Sequence, residues 1–159
     1  MIYLKILGGI FVALSGVMIS YTLNRSVSVA LGIAEGWERL LVQIKSEIEC
    51  FSMPIGEILK RVDPTLLRQC GYTGDERPEE LSELLERSVI ADRETARIVT
   101  RFVSEFGRCY KSEQVDRCAY FTALMGERRK RLAEELPVRR KLNATLCVAA
   151  SLGLVILFM

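Results

Sequence analysis

The chain has 159 residues, 22 basic against 20 acidic side chains for a formal charge of +2, and no histidine. That balance carries no electrostatic footprint for nucleic acid. The missing imidazole excludes Ser–His and Cys–His nucleophiles and removes the commonest metal ligand.

Charge location says more than charge total. Every acidic residue lies between Glu35 and Glu135, and Lys5 is the only basic residue before Arg25, so a charged middle sits between two apolar ends. The first apolar run, Ile6 to Leu23, holds eighteen uncharged residues. Two readings are open for it. Residues 1–23 can form a retained transmembrane helix, or the run can be the apolar region of a signal peptide cleaved near Ser28-Val29-Ala30. Its length and weakly basic start favour the anchor. Gly9, Ala13, Gly16 and Ser20 recur on one helical face, and Ala149 and Gly153 form a similar small pair in the last helix. Small residues in such a register let two helices approach closely in lipid, so an intramembrane hairpin between the chain ends is expected. Glycines that merely occur in a membrane span are the plain alternative.

Residues 24–141 read as an all-helical domain. Leu31, Ala34, Trp37, Leu41, Ile44, Ile48 and Phe51 step by three or four and form one apolar stripe, with Glu35, Arg39, Lys45 and Glu49 opposite. Pro54 stops this helix, because the residue before a proline is biased out of the α region. A short helix starting at Ser52 or Met53 then carries Ile55, Ile58, Leu59 and Val62. Asp63-Pro64 supplies an N-cap and a first-turn proline for the next piece, which Gly71 closes. Tyr72 to Pro78 is expected to be a loop. From Glu79 the helical period returns with Leu81, Leu84, Leu85 and Val89 facing inward. Asp92 caps a further helix with Ile98, Val99, Phe102, Val103 and Phe106 inward and Gly107 near its end. Ser112 starts a long last helix with Val115, Ala119, Phe121, Leu124, Met125, Arg128 and Leu132 inward. It runs on through Pro137, expected to kink it just outside the membrane. No stretch alternates as a strand would.

Leu142 to Met159 is the second uncharged run of eighteen residues, entered through Arg139-Arg140-Lys141. At ~1.5 Å per residue it covers ~27 Å, close to the hydrocarbon thickness of a bilayer, and it lacks the charged face of a buried core helix. Seven basic residues precede it: Arg128, Arg129, Lys130, Arg131, Arg139, Arg140 and Lys141. The positive-inside rule then places the middle in the cytoplasm, with both termini across the membrane. The expected fold is an all-α bundle between two transmembrane helices, residues 1–23 and 142–159.

Chemistry is sparse. No phosphate-binding loop, dinucleotide fingerprint or nucleophile elbow is present. Cys50, Cys70, Cys109 and Cys118 have no CxxC spacing and read as small hydrophobes in a reducing compartment. Glu79, Glu80, Glu83 and Glu86 read as a solvated helix face. Arg128 to Arg131 could meet anionic headgroups, although a topology signal alone explains them. The residues point to an interaction protein rather than an enzyme, with no cofactor, no metal and no small-molecule substrate.

A set of short segments follows in order along the chain. Arg39-Leu40-Leu41 leads to Glu47-Ile48, and Pro54-Ile55 precedes Glu57 in the second helix. Phe106-Gly107-Arg108 marks a helix junction, and Lys141-Leu142 and Gly153-Leu154-Val155-Ile156-Leu157 close the chain. In this arrangement the chain resembles the stage III sporulation protein AB family of endospore-forming bacteria. It departs at Lys111 and Cys118, where that pattern tends to have Gly and Gln. The resemblance implies a membrane component of the channel complex between mother cell and forespore, with its central domain on the mother-cell side. It further implies a domain similar to the cytoplasmic domains of the inner-membrane platform proteins of type II secretion and type IV pilus systems. The implied partners are a secretion-type ATPase and the other proteins of the stage III channel complex. Glu47, Pro54 and Glu57, where the first two helices meet, are the expected docking residues; solvated glutamates beside a helix breaker are the plain alternative. By its residues alone, the chain suits a two-span scaffold or assembly factor unrelated to sporulation equally well.

Overall fold

A computed structural model describes the backbone at residues 2–106 and 111–158, and side chains chiefly at 25–106 and 112–138. The described residues form α1 (Ile2–Phe51), α2 (Ile55–Arg61), α3 (Pro64–Gln69), α4 (Leu81–Glu86), α5 (Arg93–Glu105) and α6 (Lys111–Phe158). No strand occurs among them, and one isolated antiparallel bridge pairs Tyr72 with Ser88. The fold is all-α, as the periodicity predicts.

The chain divides into two compact units, Ala30–Arg131 and Met1–Val29 with Leu132–Met159. In the first, α1 contributes Ala34, Trp37, Leu40, Leu41, Ile44 and Ile48 to the core, all at most 3% exposed. Ile58 and Leu59 of α2, Leu84 of α4, Val99 and Phe102 of α5, and Phe121 and Met125 of α6 are equally buried. Removing each of the Val, Leu, Ile, Phe and Met side chains in this set from water stabilises the fold by roughly 1.5–3 kcal/mol. Phe102 organises the aromatic part, with ring centroids 5.0 Å from Phe106 and 5.5 Å from Phe121.

Local signals explain several helix ends. The Asp63 carboxylate accepts from the Thr65 amide at 2.8 Å, with Pro64 as the first residue of α3. Gly71 follows that helix at φ +90°, a region that penalises any side chain. Asp92 caps α5 by accepting from the Thr95 amide at 2.8 Å and its hydroxyl at 2.6 Å.

Four expectations need correction. The second helix starts at Ile55, not at Ser52 or Met53, because Ser52 ends α1 in the left-handed region at φ 53° and Pro54 is extended. Phe51 lies on the apolar stripe yet is 68% exposed, since α1 stops before α2 can cover it. Val89 does not continue the inward face of α4, which ends at Glu86. Val89 instead donates its amide to the Gly71 carbonyl at 2.9 Å, beside the Tyr72–Ser88 bridge, and leaves its side chain 65% exposed. The expected loop from Tyr72 is therefore tied at its start, where the Thr73 amide donates to the Arg87 carbonyl at 3.0 Å. Tyr72 is buried, and its hydroxyl donates to the Glu76 carbonyl at 2.8 Å. Gly107, expected near the end of α5, lies outside the described residues.

The second unit consists of the two chain ends. The uncharged runs expected to span a membrane fall within α1 and α6, and α6 continues through Pro137. Val27 and Leu132 are buried there. Among the described residues no helix is long and apolar enough to cross a membrane. Nearly all side chains of the two uncharged runs lie outside the described residues.

Candidate functional site

The break between α1 and α2 follows directly from residue types. The Ser52 amide still donates to the Ile48 carbonyl at 3.1 Å, but the left-handed Ser52 turns the chain out of the helix. Pro54, exposed and extended at φ −68° and ψ 149°, then offers its carbonyl to the amides of Glu57 and Ile58 at 3.1 and 3.2 Å. Pro54 and Glu57 are thus joined through the backbone. The Glu57 carboxylate is exposed and paired with Lys60 at 3.3 Å. Glu47 is half-buried, and its Oε2 is shut off from water with no hydrogen-bond partner. A carboxylate oxygen in that state bears a desolvation penalty that a donor would relieve. Among the described residues, no side-chain hydrogen bond or ion pair joins Glu47 to Pro54 or Glu57.

The basic run of the last helix has a different environment from the one expected. Arg128 is 11% exposed at its side chain and grips Asp92 with two hydrogen bonds, Nε to Oδ2 at 3.0 Å and Nη2 to Oδ1 at 2.8 Å. Its Nη1 also lies 3.0 Å from Glu94. The Arg128 guanidinium, helped by the Thr95 donors, lowers the Asp92 carboxyl to about 2 against the opposing effect of burial. Arg129 Nε donates to Glu38 at 2.5 Å, and Arg131 pairs with Glu127 at 2.7 Å. Three of the four cations expected as a topology or headgroup signal are therefore held by carboxylates of the protein, and Lys130 stands exposed without an ion pair among the described residues.

Arg129 and Glu38 also border an open groove of about 420 Å³, lined further by Glu35, Arg39 and Val42. Sequence reasoning missed this groove. The Glu38–Arg129 pair joins residues 91 positions apart, and no local spacing encodes such a contact.

Among the described cysteines, Cys70 and Cys118 are buried free thiols. Burial pushes both up, Cys118 to about 11, so they stay protonated and pack as small hydrophobes. Cys50 departs from that expectation: it is exposed near the end of α1. Cys109 lies outside the described residues. No cluster of three His, Cys, Asp or Glu side chains suited to a metal ion occurs among the described residues. The small residues Gly9, Ala13, Gly16, Ser20 and Gly153 have side-chain positions outside the described ones, and Ala149 is exposed.

Comparison with known proteins adds identity to this geometry. No curated protein and no solved structure matches the chain. A family model described as stage III sporulation protein AB matches residues 5–159, which takes in all six helices almost completely. The chain belongs to the stage III sporulation protein AB family.

Proposed function

We propose that this sporulation protein is a non-enzymatic, two-span component of a secretion-like channel complex between mother cell and forespore, and that its central helical domain docks a secretion-type ATPase. The domain boundaries proposed are residues 1–23 and 142–159 in the membrane and residues 24–141 in the cytoplasm. The match to a stage III sporulation family over residues 5–159 is the observation that carries the reading. Two uncharged runs flanking a charged helical middle support the membrane placement.

The docking surface proposed is the α1–α2 break. It presents Phe51, Pro54 and Glu57 at the surface, next to the unsatisfied Oε2 of Glu47. An exposed aromatic ring beside carboxylates suits a partner that brings an apolar pocket and a cationic donor. In co-purification of the full chain with a secretion-type ATPase from the same cells, the double variant E47K/E57K is expected to lower recovery at least about tenfold, since buried charge contacts at interfaces are worth several kcal/mol. Recovery equal to that of the unaltered chain would remove this docking placement.

A further inference from the structure

Helix α5 carries an exposed face opposite its buried residues Thr95, Val99 and Phe102. Arg93, Arg97, Thr100, Arg101 and Ser104 share that face, and all five are exposed. Arg101 is neutralised by Glu105 at 2.8 Å. Arg93 and Arg97 have no ion-pair partner among the described residues, although Asp92 and Glu94 flank Arg93 in sequence. Both of those carboxylates are engaged by Arg128 instead. Two arginines one turn apart repel each other, and Arg93, the first residue of α5, sits at the positive end of the helix dipole. The arrangement therefore costs the isolated fold stability.

The complementary charge lies on the same chain. Glu79, Glu80 and Glu86, at the start and end of α4, are exposed and lack ion pairs among the described residues. Helix α4 packs against α5, so unpaired anions and unpaired cations sit on neighbouring elements of one unit. An anionic bilayer would attract one set and repel the other, whereas a second copy of this chain offers both signs at once. We propose that two copies associate reciprocally, with Arg93 and Arg97 of each meeting Glu79, Glu80 and Glu86 of the other. Neighbouring patches of opposite sign on one chain are what a two-fold, self-complementary contact requires. The near-neutral chain adds little net repulsion to oppose it.

Sedimentation of the full chain in neutral detergent tests this. The unaltered protein should form dimers that dissociate as salt rises. The variants R93E/R97E and E79R/E80R should each weaken self-association about tenfold or more, and an equimolar mixture of the two should recover it. Loss of folding does not obscure the result, because Glu at the start of α5 favours the helix and R93E/R97E should melt no lower than the unaltered chain. A monomer at every concentration, undiminished association of R93E/R97E, or a mixture that stays dissociated would each overturn the proposal. So would an effect of R93E/R97E seen only in nanodiscs containing anionic lipid, which would assign the arginines to headgroups.

Discussion

Asp92 serves two structures with one carboxylate. It ends the loop before α5 by accepting from Thr95, and it anchors Arg128 on α6 through both of its oxygens. Replacing it by alanine removes a cap and takes the two-point carboxylate partner from a mostly buried guanidinium. The expected cost of Asp92→Ala is about 2–4 kcal/mol, from a lost cap and a broken, partly buried ion pair. Asp92→Asn keeps a good capping group and should be less damaging by about 1 kcal/mol. Thermal unfolding of the full chain in neutral detergent would rank the two. The same carboxyl shapes the acid response. Its folded value of about 2 lies below the ordinary 3.8, so its stabilisation is complete above about pH 4 and is lost as pH falls toward 2. The acid limb of the stability curve should therefore be shallower in Asp92→Asn than in the unaltered chain. An unchanged limb would mean that the Asp92–Arg128 pair adds little to the stability of the fold.

At the scale of elements, α1 and the end of α3 approach each other closely. A Cβ placed on Gly36 would lie 2.8 Å from the backbone carbonyl carbon of Gln69, so only glycine lets the two backbones come this near. The next residue secures the contact, with Trp37 Nε1 donating to the Cys70 carbonyl at 2.9 Å and satisfying a helix end that would otherwise be buried unpaired. Gly32, one turn earlier on α1, has nothing within 4 Å of the same added atom. The two glycines make a matched test. Gly32→Ala should stabilise by up to about 1 kcal/mol through helix propensity. Gly36→Ala should instead destabilise by about 1–3 kcal/mol through overpacking against backbone that cannot yield. Melting temperatures that moved in the same direction for both would contradict the close packing of α3 on α1. The caps of α3 and α5 and the stop at Pro54 were legible beforehand because each involves residues within a few positions of one another. The Tyr72–Ser88 bridge was not, since neither flanking segment alternates or carries a strand-like run.

For the molecule as a whole, the question of greatest consequence is where its ends reside. Both uncharged runs belong to the unit Met1–Val29 with Leu132–Met159, whereas most of the charge belongs to Ala30–Arg131. Under the two-span proposal the full-length protein should remain with the vesicle pellet after alkaline carbonate treatment. Release into the supernatant would overturn the membrane placement and leave the family assignment standing. The neutralised arginines bear on the same question. Under the same proposal, with Arg128, Arg129 and Arg131 paired inside the domain, the orientation signal would rest more heavily on Lys130 and on Arg139, Arg140 and Lys141. Reversing Arg139 and Arg140 to glutamate should therefore disturb topology more than reversing Arg128 and Arg129, as read by labelling of single cysteines from either side of the membrane.

The order of the helices, the caps of α3 and α5, the stop before Pro54, most of the apolar faces and the family itself were written in the sequence, because a 3.6-residue period and a capping side chain act between neighbours. Tertiary structure alone decided that Asp92 meets Arg128, that Glu38 meets Arg129, that Gly36 admits the end of α3, and that Phe51 is left uncovered. Those outcomes depend on which helices pack together, and side chains 36 and 91 positions apart are brought into contact only when a common core draws their helices side by side.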